Sequence, residues 1–175
     1  YFVAVRDLLG RVGVLSPPAW ARIYSRMPPL PPRETRVENA VVFNGTERTH
    51  HLRVSWAAPE SDTGVPIAAY YIYRWTSIDD IARLGRAQHP TEGRPHVNLI
   101  GIVPAGAPGA RGEFLDDGAV APPAWADVQS PRPIMAAHQG RTFYYTIRAL
   151  DAASCGGNIS GNSAPAWGVL RDNIG

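Results

Sequence analysis

The sequence predicts an all-β fold, on three observations. Arg141 to Asp151 alternates Phe143, Tyr145, Ile147 and Ala149 with other residues, the period of two that a half-buried strand requires. Glycine and proline each occur 17 times, a supply of turn residues that suits many short strands better than packed helices. That strand and the segment after it, Ser163 to Arg171, also recur in shorter form at the start of the chain. Tyr1-Phe-Val-Ala-Val-Arg-Asp7 aligns with Tyr145-Thr-Ile-Arg-Ala-Leu-Asp151, and Ser16-Pro-Pro-Ala-Trp20 with Ser163-Ala-Pro-Ala-Trp167. Recurrence of this kind marks tandem modules.

Taken in order, residues 1–26 are therefore expected to be the last two strands of a preceding module, at Tyr1 to Asp7 and near Ala19 to Tyr24. Met27 to Arg33 holds four prolines in seven residues, a stiff extended linker and the expected domain boundary. The complete module spans 34–175. Thr35 to Phe43 reads as an edge strand, and Asn44-Gly45 is a strong hairpin signal. His50 to Trp56 alternates, with Leu52, Val54 and Trp56 on one face. Ile67 to Trp75 is the next strand, with Tyr70 and Ile72 sharing a face. Ser77 to Asp80 has the form of a capping box, and Ile78, Ile81 and Leu84 follow at helical spacing, so a short helix is expected over 78–86. Further strands are expected near Val97 to Val103 and at Gly112 to Leu115. The segments 76–96 and 119–140 read as insertions, the second proline-rich and without a period.

Composition bounds the function. With 45% hydrophobic and 18% charged residues the chain is no disordered tail, and 175 residues supply one good core and part of another. The net charge is +2 and the basic residues, all arginine, are scattered, so no nucleic-acid partner is expected. The lysine-free composition, with its abundant Ala and Pro, points to a GC-rich bacterial genome. Cys155 is alone, which excludes an internal disulfide or a cysteine zinc site. No run approaches the roughly 20 apolar residues of a membrane-spanning helix. The opening Tyr-Phe-Val-Ala-Val reads as mid-strand and not as a signal peptide, so a longer parent polypeptide is expected.

Four stretches together resemble the fibronectin type III domain of bacterial tandem arrays. They are Leu52 to Trp56 with Pro59 beyond, Ile67 to Arg74, Leu99 to Val103 with Phe114 to Asp116, and Gly140 to Asp151 with Asn162-Ser163. The resemblance implies an immunoglobulin-like seven-strand sandwich. In it, Trp56 is the core tryptophan of the second strand, faced by Tyr70, Ile72, Tyr145 and Ile147 from the opposite sheet. The usual corner tyrosine position holds Phe143, so either Tyr144 or Tyr145 substitutes, or packing alone holds that corner.

Chemistry has few places to reside. His50 and His51 point to opposite faces of a strand and cannot chelate one ion together, and His89, His96 and His138 lie in separate loops. Asp79-Asp80 fits a helix start and Asp116-Asp117 a turn. Gly156 to Gly161 lacks the glycine two residues before Ser160 that a nucleophile elbow needs. Gly106, Gly109 and Gly112 precede no helix and make no phosphate loop. No catalytic residue, metal site or cofactor is expected. Trp75, Trp125, Tyr71 and Tyr73 are the candidates for an exposed contact surface, able to anchor a protein or stack on a sugar. The expected function is a non-catalytic spacer and interaction module of a larger secreted or surface-attached bacterial protein. Its partners would be neighbouring domains or subunits. The alternatives are a polysaccharide-binding accessory module and a subunit that assembles by strand addition.

Overall fold

Seven strands and one short helix account for the regular structure of the described residues in the computed structural model. These residues are 2–19, 27–45, 47–60, 64–84, 98–117, 140–152 and 157–171. In chain order the elements are β1 (Arg33–Asn44), β2 (Glu47–Ala57), β3 (Ile67–Trp75) and α1 (Ile78–Leu84). They continue with β4 (Leu99–Pro104), β5 (Gly112–Asp116), β6 (Thr142–Asp151) and β7 (Ala166–Val169). One sheet has the order β1-β2-β5 and the other β4-β3-β6-β7, every pairing antiparallel. Three strands against four make the immunoglobulin-like sandwich.

The hairpin β1–β2 closes where the sequence signals it. Gly45 takes φ +67, a left-handed conformation that glycine adopts without strain. From there the register runs without a slip from Asn44↔Glu47 to Arg36↔Ser55.

The alternation along each strand then places the core. Leu52, Val54 and Trp56 face Tyr70, Ile72, Tyr145, Ile147 and Ala149, all buried in one cluster with Phe143, Ile100 and Leu170. Trp56 meets Tyr70 edge-on, with ring centroids 5.2 Å apart. Its cross-strand partner is Gly112. A methyl group at Gly112 would fall 2.1 Å from the indole ring, so the tryptophan fits only because that position has no side chain.

β6 outruns β7. Their register covers only Thr142↔Val169 to Tyr145↔Ala166. Beyond it two serines replace the ladder. Ser163 donates its amide to the Ile147 carbonyl at 2.8 Å, and its hydroxyl accepts the Ile147 N–H at 3.0 Å. Ser160 does the same for Ala149, at 2.9 and 2.8 Å. A buried strand edge keeps its backbone groups paired in this way.

Three expectations need adjustment. β4 begins at Leu99, while the expected helix is described over Ile78–Leu84, its last two residues lying outside the described residues. Among residues 2–19 there is one bridge, Arg6↔Val12, in place of a regular strand, and the stretch that pairs with Val3 to Asp7 is Arg11 to Ser16. Pro17 and Pro18 lack the N–H groups that a strand continuing past Ser16 would need. The strand expected near Ala19 to Tyr24 and the insertion at 119–140 lie outside the described residues, Ala19 and Gly140 excepted. The proline linker is not a free spacer either: Pro29 and Pro32 are buried.

Two substitutions test this core. Trp56→Ala is expected to cost about 3–5 kcal/mol and Gly112→Ala about 1–3 kcal/mol in denaturant unfolding. A loss below about 1 kcal/mol for Trp56→Ala would contradict its place between the sheets.

Candidate functional site

The period of two that buries Tyr70 and Ile72 also turns Arg74 inward. A guanidinium inside a sandwich must be paired or it costs several kcal/mol. Asp116, at the end of β5 in the opposite sheet, supplies the carboxylate: Arg74 Nη1 lies 2.9 Å from both of its oxygens. Tyr145 donates its hydroxyl to the same carboxylate at 2.7 Å, and the guanidinium sits 5.5 Å from the centre of the Phe143 ring. Burial, together with the negative Asp116, raises the Tyr145 phenol far above its ordinary pKa, so it stays a neutral donor. Of the two tyrosines open to the corner role, Tyr145 is the one whose hydroxyl reaches across, and its acceptor is a side chain. Asp116 is thus a buried inter-sheet anchor, where the sequence had it as a turn residue.

The aromatic residues expected to be exposed divide. Tyr73 and Trp75 are only 3% and 2% exposed. They point away from the main core but form a second cluster with Leu99, against which Tyr71, Ile81 of α1 and Tyr144 pack. The Trp75 indole donates to Thr146 Oγ1 at 3.0 Å, and Arg148 lies 5.4 Å from the Tyr73 ring centre. These two residues are therefore not contact residues, because the helix after β3 folds back over them. Tyr71 is half-buried, and Trp125 lies outside the described residues.

An exposed aromatic outside the expected set is Trp167 on β7, which is 62% exposed. It stands in register with Tyr144, which in turn stands opposite Trp75, giving a row Trp75–Tyr144–Trp167 across three strands on the outer face. The available signal was the period of two along β7, which turns Trp167 outward where its neighbour Gly168 is buried.

Elsewhere the surface is plain. A cavity of about 510 Å³ opens at the end of the sandwich where β1 begins, lined chiefly by Ala57 to Glu60, Pro66, Ile67, Tyr70 and Ala105 to Gly109. Ion pairs of 2.8 Å (Arg33–Glu60) and 2.9 Å (Arg111–Glu34) lie at that end. Ser77 accepts the Asp79 amide at 3.2 Å, and Asp79 and Asp80 occupy the first turn of α1. His51 contacts Thr49 Oγ1 at 2.7 Å. Among the described residues no group of three or more His, Cys, Asp or Glu could hold a metal ion, and no helix is long and apolar enough to cross a membrane.

Comparison with known proteins is sparse. No family model matches the chain, and no curated protein matches it. Among solved structures it is similar to the crystal structure of domains A168-A170 from titin. That match has 16% identity and a TM-score of 0.42, over 83% of this chain and 33% of the other. Titin kinase with its flanking domains gives 14% identity and a TM-score of 0.37, over 79% and 16%. The chain thus spans about a third and about a sixth of these two proteins. With scores this low, the assignment of the fold rests on the strand pairing itself.

The buried phenols predict an alkaline limit. Tyr73 is pushed up to about 12 by burial, and Tyr145 is raised further. Both keep their protons in the folded state after an unfolded tyrosine, near 10, has lost its own. Their contribution to stability is therefore complete below pH 10 and is lost as pH climbs to 12 and beyond. Tyr145→Phe is expected to cost about 1.5–3 kcal/mol at neutral pH and to flatten the alkaline decline, read by denaturant unfolding at stepped pH. An unchanged pH profile would contradict the assignment.

Proposed function

We propose that residues 33–171 form a non-catalytic module of the fibronectin type III kind in a larger bacterial protein that is secreted or attached to the cell surface. It acts as a spacer and carries a contact surface. The observation that carries this reading is the fate of the buried ionisable groups. Arg74 and Asp116 bind each other and Tyr145. Asp151 accepts bonds from the amide and the side chain of Asn158 at 2.7 and 2.8 Å. The chemistry inside the sandwich is spent on holding it together, and what it offers outward is shape and aromatic surface.

The contact surface is the outer face of the four-stranded sheet around Trp167, with Tyr144 beside it. An exposed tryptophan next to a half-buried tyrosine has the composition of an interface centre. The same pair of neighbouring rings favours a second reading, stacking on a sugar chain.

Sedimentation with insoluble polysaccharides, such as cellulose, chitin and xylan, separates the two. The spacer and protein-contact reading expects no retention of the chain. Retention that Trp167→Ala abolishes, with unfolding midpoint unchanged, would replace it by the carbohydrate reading.

A further inference from the structure

Residues 3–16 repeat the hydrogen-bond pattern of residues 147–163, except that Gly13 stands where the Ser160 hydroxyl accepts the Ala149 N–H. Asp7 N–H donates to the Arg11 carbonyl and Asp151 N–H to the Asn158 carbonyl, both at 3.0 Å. Gly13 N–H reaches the Val5 carbonyl at 2.8 Å, as Ser160 N–H reaches that of Ala149 at 2.9 Å. Ser16 N–H reaches the Val3 carbonyl, as Ser163 N–H reaches that of Ile147, both at 2.8 Å. The serine hydroxyls match as well. Each accepts from the strand, Val3 or Ile147, at 3.0 Å, and each donates to the next carbonyl, Pro17 at 3.0 Å or Ala164 at 3.1 Å. The turn aspartates agree too: Asp7 accepts from the amide and guanidinium of Arg11 as Asp151 does from the amide and side chain of Asn158. The isolated bridges Arg6↔Val12 and Leu150↔Ile159 complete the match.

What differs is the cover. Ile147 and Ala149 are fully buried: β3 pairs along their edge, through Ile72↔Ile147 and Tyr70↔Ala149, and Leu52, Val54 and Trp56 lie over them. Their counterparts Val3 and Val5 are 69% and 77% exposed, among Phe2, Val12, Val14 and Leu15, which are also exposed. Apolar strand edges left open in this way invite pairing.

We infer that residues 3–16 are the closing hairpin of a second sandwich, and that their partner is a set of strands equivalent to β1 to β5, supplied by the polypeptide ahead of residue 2. The partner presents a β3-type strand to the edge of Val3 to Asp7 and an apolar sheet to the face of Val3 and Val5. A second copy of this chain does not offer that edge, because its β3 is already paired on both sides, with β4 and β6. The same holds for the body of this chain. The inference deepens the proposed spacer reading by naming the neighbour.

Hydrogen exchange tests it, by comparing the amides of Gly13 and Ser16 with those of Ser160 and Ser163. In the chain 1–175 the first pair is expected to exchange at unprotected rates and the second pair slowly. In the source-length polypeptide both pairs are expected to be slow, with Gly13 and Ser16 slowed by roughly two orders of magnitude or more. Val5→Asp in that polypeptide is expected to release Gly13 and Ser16 and leave Ser160 and Ser163 unchanged. Protection of Gly13 and Ser16 in monomeric 1–175 would mean that the hairpin packs on its own body, and protection only in a dimer would mean strand exchange between copies. Either result overturns the inference, as does a source polypeptide that leaves these amides unprotected or has nothing ahead of residue 1. All of these leave the non-catalytic reading of 33–171 standing.

Discussion

One buried ion pair sets the register of the sandwich. Arg74 and Asp116 belong to different sheets, with side chains 7% and 1% exposed, and they meet at 2.9 Å with Tyr145 donating to the same carboxylate. Such a pair gives little net stability against a well-packed apolar replacement, because both ions have left water. Its effect is on specificity. Shifting β3 by one residue would carry Arg74 outward and bring Tyr73 and Trp75 in, leaving Asp116 buried and unpaired. The slipped sandwich is excluded by that penalty, whereas apolar contacts alone would tolerate it more readily.

The remaining architecture follows from that choice. With Tyr70, Ile72 and Arg74 inward, Tyr71, Tyr73 and Trp75 must face outward, and two large aromatic rings in water would be an aggregation liability. The chain covers them at once: α1 follows β3 within three residues and lays Ile81 against them. Trp75 and Tyr73 thereby become a second small core, and the exposed position passes across the sheet to Trp167. The same economy appears at the β6 edge, where Ser160 and Ser163 substitute for a longer β7.

The sequence was informative wherever periodicity and turn chemistry act locally. The strands β2, β3 and β6 lie within a few residues of where alternation placed them, and Asn44-Gly45 marked its hairpin. Trp56, Tyr70, Ile72, Tyr145 and Ile147 lie together in the main cluster. The inward position of Arg74 was legible from the same alternation, but its partner was not, because Asp116 reads locally as a turn residue and becomes an anchor only across 42 residues of chain. Trp75 and Tyr73 were misplaced for a similar reason: an aromatic in a strand shows which face it occupies, not whether a helix will cover that face. The tandem pattern at the N-terminus was visible in sequence. The strand expected near Ala19 to Tyr24 lies outside the described residues, Ala19 excepted.

The role of the ion pair is best measured by comparing two variants in denaturant unfolding. Asp116→Asn leaves a buried guanidinium without its counter-charge and is expected to cost about 3–5 kcal/mol. The double replacement Arg74→Met with Asp116→Leu removes both charges and is expected to lie within about 1 kcal/mol of the parent or above it. In that double variant the amides of β3 are expected to exchange faster than in the parent, because a second register becomes accessible. A double variant as unstable as Asp116→Asn, or one with unchanged exchange along β3, would contradict the role of the pair in fixing the register.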